Sequence, residues 1–376
     1  MASPPKATPS TTARNAQVII AVILGGAALS WAAPILTPLA LAVFLMLMID
    51  AMGRDLHMRI PALGAGASIA AAIIVCIVVF ALTVVFVAGH AAGFVIKLFA
   101  YQARLNALLQ QLAHAVRLGL PRTVSQLITN LNPAQYLGSI AGMVQNLVQD
   151  GVLVLIYLGF LLASRRGFER KAVRLFHERE GRHEALQAFM RVRDSLERYV
   201  YIQTVCGGFI AIGSWAIMML VGLQDAFFWA FLIFVIGYIP IVGAAIGIIA
   251  PALFALVQFP SAWEGLTLAA ALFALAFVVG NILMPRMQGR SLNIDPVMIL
   301  LSLAFWGTLW GVTGMFLSTP LTILVMVVLA QFDGTRWVAI LLSADGDPHS
   351  LGVVSAHGHT APAVASRKSE TSPLLS

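Results

Sequence analysis

The sequence has few charged residues. Only 10% of its 376 residues are Asp, Glu, Lys or Arg, while 60% are hydrophobic; in a soluble domain roughly 25% of residues are charged. The 16 acids and 23 bases are too few to cover the surface of a water-soluble globule of this length. The composition therefore excludes a soluble fold and predicts that a lipid bilayer surrounds most of the chain.

Cysteines and catalytic motifs are also scarce. Cys76 and Cys206 lie in separate apolar segments and neither belongs to a CxxC pair, so neither a disulfide framework nor a zinc site is indicated. The GxSxG, HExxH and Walker patterns are absent, and the acids lie at the ends of apolar segments rather than paired within one. The bases are not interleaved with aromatics as in a nucleic-acid-binding face. We expect no enzyme, no cofactor, no bound metal and no nucleic-acid partner.

The sequence contains instead about eight apolar runs, most of them close to the ~20 residues that cross a bilayer as a helix. They cover 17–31, 34–49, 68–94, 147–163, 200–223, 226–257, 263–284 and 297–331. A cleaved signal peptide is an alternative for the first run, but the second run follows at once and favours an uncleaved hairpin. The pattern predicts the all-α class, as a polytopic transmembrane helical bundle.

The sixth and eighth runs are longer than one crossing, because at ~1.5 Å per residue both exceed the ~30 Å hydrocarbon core. Pro240 and Gly243 interrupt the sixth, and Gly307, Gly311 and Gly314 recur in the eighth. We therefore expect these two runs to be broken or re-entrant.

Polar segments divide the chain further. We expect a three-span segment at 1–97, extramembrane amphipathic helices at 98–147 and a transmembrane core at 148–342. The helices at 98–147 are either a solvated connector or a partner-binding domain. Residues 343–376 have the composition of a disordered tail, and its histidines lack a fixed set of metal ligands.

A basic loop at 164–199 predicts the orientation. It carries ten of the 23 bases and is expected to form an amphipathic helix on or beneath the membrane. If the N-terminus is cytoplasmic and both long runs are hairpins, 19 of the 23 bases lie on the cytoplasmic side. The loop, the N-terminus and the tail are therefore predicted to be cytoplasmic.

Three features of the apolar segments are candidates for function, and the first lies in the sixth run. Tyr238, Pro240 and Gly243 belong to the stretch GYIPIVG. A proline removes an amide donor and breaks the helix, and carbonyls freed in this way are tolerated at membrane depth only if they are buried in protein or line a wet cavity. The stretch is either a structural kink or a site for a solute or ion.

The second feature joins the seventh and eighth runs. Asn281 is an amide in an otherwise apolar helix, so it is expected to face the bundle interior, as an interhelical hydrogen bond or as a solute ligand. Pro285 and Gly289 follow it. Asp295, which precedes Pro296, is expected to cap the next helix, with proton coupling or pairing to a nearby arginine as alternatives.

The third feature is a stretch rich in glycine and tryptophan. Its residues are Trp306, Gly307, Trp310, Gly311 and Gly314, followed by Pro320. Glycines at this spacing let helices approach closely, and tryptophans lie at interfaces or stack in cavities. The sequence is compatible with tight packing and with ligand contact as the role of this stretch.

The order of the three features resembles the C-terminal half of the autoinducer-2 exporter (AI-2E) family of bacterial membrane proteins. The resemblance spans most of the chain and is most specific from 238 to 320, where YIPIVG, GNILMPRMQGRSLNIDP and LLSLAFWGTLWGVTGMFLSTPLT follow one another. The family's pattern falls on Asn281, Pro285, Gly289, Pro296, Trp306, Gly307, Gly314 and Pro320.

The resemblance implies an inner-membrane permease. Some members are linked to export of the signal autoinducer-2 and others to sodium(lithium)/proton antiport. Many relatives place an acid just before the asparagine, whereas this chain has Gly280, which leaves Asp295 as the nearest acid.

We expect alternating access, with a small hydrophilic solute or ion bound where the break at Pro240 meets Asn281 and the tryptophan-rich helix. An antiporter and a non-transporting scaffold acting through 98–147 are the rival functions. A homo-oligomer is possible, since small-residue faces suit helix association.

Overall fold

The computed structural model describes residues 11–62, 64–101, 104, 107, 133–175, 179–288, 294–332, 334–344 and 346. Apart from an isolated bridge between Ile294 and Ser343, the regular structure of these residues is helical. The all-α class is confirmed. Six of the described helices are long and apolar enough to cross a membrane, which agrees with a polytopic bundle.

The described α-helices are numbered here in chain order, and a π-helical turn, Val279–Leu283, lies between the eighth and the ninth. They are α1 (Thr11–Trp31), α2 (Ala33–Arg59), α3 (Ala65–Ala100), α4 (Pro133–Leu175), α5 (Arg179–Val221), α6 (Ala226–Ile236), α7 (Val242–Gln258), α8 (Ala262–Val278), α9 (Met284–Gln288), α10 (Pro296–Ala330) and α11 (Arg336–Leu342).

Helix α5 is the central element, because it packs against α2, α6, α8, α9 and α10. Its first half lies at the end of the bundle that also holds Arg59, Asp295 and Arg336, which we call the basic end. There Glu197 of α5 accepts from Arg54 of α2 at 2.5 Å and from Arg193 at 2.8 Å. This ion-pair triad fixes α2 to α5.

Helices α6 and α7 are the two arms of a helical hairpin, hairpin 1, whose base lies at the end of the bundle opposite the basic end. Gln258 closes the base, since its Nε2 donates to Gly222 O at 2.9 Å and its Oε1 accepts from Gln224 N at 2.8 Å. The chain reverses between the arms, where Ile241 has a φ of 66°. A Cβ added at Gly243 would lie 2.7 Å from Gly237 Cα, so the tip requires glycine there. The break expected at Pro240 is confirmed.

Helix α10 is also folded back on itself, as hairpin 2. Trp310 and Gly311 have non-helical backbone angles, and Gly311 has a φ of 62°. The two ends of α10 lie together at the basic end, because Asp295 N donates to Leu342 O at 3.2 Å and Ile294 packs in one cluster with Met326. The first arm, 296–309, is about 21 Å long, shorter than the ~30 Å core. Both long runs are therefore broken, as expected.

The N-terminal run differs from the expectation. Helices α1 and α2 are separated by Ala32 alone, whose φ of −82° and ψ of 2° bend the chain without reversing it. A hairpin of two antiparallel helices needs a connection of roughly 2–5 residues. The expected hairpin of the first two runs is wrong in this respect.

The charged segment 164–199 is helical on both sides of residues 176–178, because α4 ends at Leu175 and α5 begins at Arg179. The amphipathic helix expected there is continuous with the following span rather than separate from it. Helix α4 begins at Pro133, where a proline at the first helical position is favourable. Most of 98–132 and of the tail at 343–376 lies outside the described residues.

Substitution of Gly314 by alanine should destabilise hairpin 2. The added Cβ would overlap the carbonyl oxygen of Trp306 on the facing arm, and overpacking of this kind costs about 1–3 kcal/mol. We expect a lower midpoint of thermal unfolding for the detergent-purified Gly314→Ala protein. Gly159→Ala in α4 is the control, since nothing lies within 4 Å of its added Cβ. Equal midpoints for the two variants would contradict the tight crossing of the arms.

Candidate functional site

The tip of hairpin 1 is held by polar side chains of α5. Gln203 Nε2 donates to the carbonyl of Gly237 at 2.6 Å, and the Tyr199 hydroxyl donates to the carbonyl of Tyr238 at 3.5 Å. The hydroxyls of Thr204 and Tyr238 lie 2.7 Å apart. We call these five residues the latch. The carbonyls that the helix break frees are therefore partnered across the interface with α5.

The latch also contacts hairpin 2 and α2. The ring of Tyr238 lies 5.8 Å from that of Phe316, measured between centroids, and Phe316 packs edge-on against Phe44 at 5.9 Å. Thr319 hydrogen-bonds to the side chain of Tyr199. A displacement of the hairpin 1 tip would thus disturb α5 and hairpin 2 together.

The chemistry of the latch is neutral. Its described hydrogen bonds join hydroxyl, carboxamide and carbonyl groups, and no acid or base takes part in them. Tyr199 is buried and Tyr238 half-buried, whereas Thr204 is exposed. The Thr204–Tyr238 hydroxyl pair therefore lies at the open side of the latch, where it can exchange its hydrogen bond for one to a solute.

The glycine- and tryptophan-rich stretch forms the tip of hairpin 2. Trp306 is buried, and its ring lies 5.1 Å from that of Trp310. A Cβ added at Gly307 would lie 2.9 Å from the side chain of Met315 on the other arm. Of the two readings of this stretch, the structure supports tight packing. Trp310 also donates its indole N–H to the carbonyl of Leu29 at 3.2 Å, which ties α1 to the tip.

Asn281 was expected to face the bundle interior, and this expectation is wrong. Its side chain is exposed, and its Nδ2 donates to the carbonyl of Phe277 in its own helix at 2.9 Å. The neighbouring Pro285 is exposed as well. Because a proline ring clashes with the carbonyl four residues earlier, the helix widens into the π-helical turn Val279–Leu283 just before it.

The three sequence features are therefore not assembled into one site. No described hydrogen bond or ring contact joins Asn281 to either hairpin. Gly289 lies outside the described residues. Asp295 caps α10, where its Oδ1 accepts from Val297 N at 2.8 Å and from Met298 N at 3.4 Å, with Pro296 at the first helical position. The capping role expected of Asp295 is confirmed.

Sequence reasoning missed the partners of the hairpin 1 tip. Gln203 and Thr204 lie in the fifth apolar run, and Tyr199 is the last residue of the basic segment before it. Phe316 and Thr319 lie in the second arm of hairpin 2. Gln203 carried a usable signal, because an amide inside an apolar helix is expensive unless it is hydrogen-bonded. Among the described residues, no group of three or more His, Cys, Asp or Glu is placed to hold a metal ion.

Comparison with known proteins decides the family. The sequence model of the AI-2E family transporters matches residues 18–334. The chain belongs to the AI-2E transporter family. It is 30% identical over 333 residues to the AI-2 transport protein TqsA of Escherichia coli K12, covering 86% of this chain and 93% of TqsA.

Two further relatives are named provisionally as transport proteins. A protein of Haemophilus influenzae is 28% identical over 341 residues, covering 86% of this chain and 94% of its own. YhhT of Escherichia coli K12 is 34% identical over 170 residues, which cover 45% of this chain and 46% of YhhT. Membership of the AI-2E family and the six apolar helices make the chain a multi-pass protein of the bacterial inner membrane.

Removing the amide of the latch should loosen the tip of hairpin 1. Gln203→Leu leaves the carbonyl of Gly237 without its partner. Because this bond is only partly buried, the cost lies in the lower part, about 1–2 kcal/mol, of the range for a buried group. We expect amide hydrogen exchange at 237–243 to accelerate by about 5- to 30-fold, the factor that corresponds to 1–2 kcal/mol.

Gln258→Leu is the matched control, because Gln258 binds the base of the same hairpin. Its effect should be confined to the residues around 222–224. Exchange at the tip that is unchanged in Gln203→Leu would show that the latch does not hold the tip.

Proposed function

We propose that this AI-2E transporter moves a small hydrophilic solute across the inner membrane by alternating access, with hairpin 1 as the moving element. The observation that supports this is the latch: besides the ring contact of Tyr238 with Phe316, the tip is held by hydrogen bonds to Tyr199, Gln203 and Thr204. Each such bond contributes about 0.5–1.5 kcal/mol. Three such bonds favour the population of a closed state over that of an open state by roughly a hundredfold. A solute that binds the open state more tightly can reverse this ratio.

The geometry of the hairpins fits such a cycle. Hairpin 1 has its base at the end of the bundle opposite the basic end, and hairpin 2 has its base at the basic end. Their contact through Tyr238 and Phe316 lies between the two ends. Helix ends that meet inside a bundle offer carbonyls and dipoles to a polar solute. In the proposed cycle, hairpin 1 withdraws from α5 and exposes the latch groups to one side of the membrane.

The neutral chemistry of the latch favours an uncharged, hydrogen-bonding solute. Autoinducer-2 is the first candidate substrate, because TqsA, to which the chain is similar, is named an AI-2 transport protein. A sodium(lithium)/proton antiporter is the second candidate, but the latch contains no carboxylate and Asp295 is engaged in capping α10. A scaffold acting through 98–147 is the third.

We also propose that the basic end faces the cytoplasm. Arg54, Arg59, Arg193 and Arg336 lie there among the described residues, and loops rich in Lys and Arg stay on the cytoplasmic side. The C-terminal tail is assigned to the same side, because Ser343 pairs with Ile294 at this end. The N-terminus is not, because α1 continues away from the basic end without reversing at Ala32.

Transport by the purified protein in liposomes tests the function. Wild-type protein is expected to move autoinducer-2, and a sodium gradient is expected to leave the fluorescence of an enclosed pH-sensitive dye unchanged. Gln203→Leu and Tyr199→Phe should each slow the flux by about 2- to 12-fold, because loss of a latch bond of about 0.5–1.5 kcal/mol weakens the closed state of the cycle.

Asn281→Ala is the control, since the amide of Asn281 bonds only within its own helix in the described contacts. It should transport like the wild type. Undiminished flux in both latch variants would contradict the role of hairpin 1. A sodium-driven pH response alone would establish the antiporter, and silence in both assays would favour the scaffold.

A further inference from the structure

A concave site separate from the latch is lined by Phe44, which also packs against Phe316. It is a groove of about 820 Å³ between α2, the first half of α5 and the second arm of hairpin 2. Leu47, Leu196 and Leu317 are among the residues that line it, together with Leu324 and Val328, which are exposed toward the surrounding bilayer. None of the latch residues lines the groove.

The groove offers hydrocarbon contacts and little else. Of its lining residues only Trp310 and Gln331 carry nitrogen or oxygen in their side chains. The indole N–H of Trp310 donates a hydrogen bond to Leu29 O at 3.2 Å, and Gln331 Nε2 donates one to Val327 O at 3.3 Å. Beyond these two bonds, only the rest of the Gln331 amide could bind a hydrophilic solute among the lining side chains. An apolar chain would gain contact along the whole groove.

The groove is longer than one leaflet of the hydrocarbon core is deep. Its wall on hairpin 2 runs from Leu317 to Phe332, a distance of about 22 Å at ~1.5 Å per residue. One leaflet of the hydrocarbon core is about 15 Å deep. An acyl chain that spans one leaflet and enters from the basic end would therefore lie in the groove over the whole length of the chain.

The mouth of the groove at the basic end is aromatic and positively charged. Phe189 and Phe332 line it and are 56% and 62% exposed. Arg336 is placed beside it, because its backbone N–H donates to Phe332 O at 2.9 Å. Arg191 lies one turn of α5 from the lining residue Ala188. Exposed aromatic rings next to cations are typical of the level of lipid head groups.

We propose that this groove is a binding site for one anionic phospholipid, with an acyl chain along hairpin 2 and the head group at Arg191 and Arg336. Phe44 lines the groove and packs against Phe316, which contacts Tyr238 of the latch. The bound chain therefore supports the face of hairpin 2 on which the latch depends.

Native mass spectrometry of the full-length protein with added phosphatidylglycerol tests the site. The wild type is expected to keep one phosphatidylglycerol per chain through detergent exchange. Ala40→Phe places a ring in the groove, since Ala40 lines it, and should weaken retention by about tenfold, the equivalent of losing two buried methylene groups. Val43→Phe is a second filling variant in case Ala40→Phe does not fold.

Ala270→Phe is the matched control, because Ala270 is exposed on α8 and does not line the groove. It should retain the lipid. Arg336→Gln should reduce the preference for phosphatidylglycerol over phosphatidylcholine by about fivefold, since one base near a membrane surface contributes about 1 kcal/mol. Arg286→Gln, on α9 and not lining the groove, should leave the preference unchanged.

Two results would overturn the proposal. Equal retention in Ala40→Phe and Ala270→Phe would show that the lipid binds elsewhere. A change of oligomeric mass in Ala40→Phe without a change in retained lipid would show that a second copy of the chain occupies the groove.

Discussion

The structure depends on one constraint: a backbone carbonyl or amide at membrane depth must be hydrogen-bonded, because the hydrocarbon offers no water to replace a missing partner. Both long apolar runs break their helical ladder, and the two tips are held in different ways. At hairpin 1, side chains of α5 bind the freed carbonyls of Gly237 and Tyr238. At hairpin 2, Gly314 lets the arms approach so closely that packing fills the turn. Hydrogen bonds can be exchanged with a solute and close packing cannot, so hairpin 1 is the better moving part.

Helix α5 carries both the fixed and the exchangeable contacts. At the basic end, Arg193 and Glu197 are spaced i, i+4 and form the triad with Arg54. Tyr199 and Gln203, also spaced i, i+4, face the hairpin 1 tip just beyond it. Residues at this spacing lie on one helix face. The same helix therefore anchors α2 through charged groups and holds the hairpin through neutral ones. In the proposed cycle the tip of hairpin 1 can leave α5 while the ion pairs to α2 stay formed.

The sequence was sufficient to locate the two breaks, because run length together with Pro240 and the glycines of the eighth run leaves few alternatives. It was not sufficient to predict which amide side chain hydrogen-bonds to a helix break. Asn281 and Gln203 are both amides in apolar spans, but Asn281 is satisfied within its own helix, beside the π-helical turn, whereas Gln203 reaches across to Gly237. That choice rests on a contact between residues 34 positions apart. The bend at Ala32 was missed for a different reason. A short connection between two apolar runs is compatible with a bend and with a reversal, so the sequence does not distinguish them.

The identity to TqsA establishes the family and leaves the solute to be argued from chemistry. Burying a cation is expensive unless negative charge or many oxygen ligands replace its water. The latch offers hydroxyl, amide and carbonyl groups, and Asp295 is engaged as a helix cap. A neutral polyhydroxylated molecule can replace the latch bonds one for one, which keeps every carbonyl of the tip partnered while hairpin 1 opens. The constraint that shapes the hairpin thus also favours an uncharged solute.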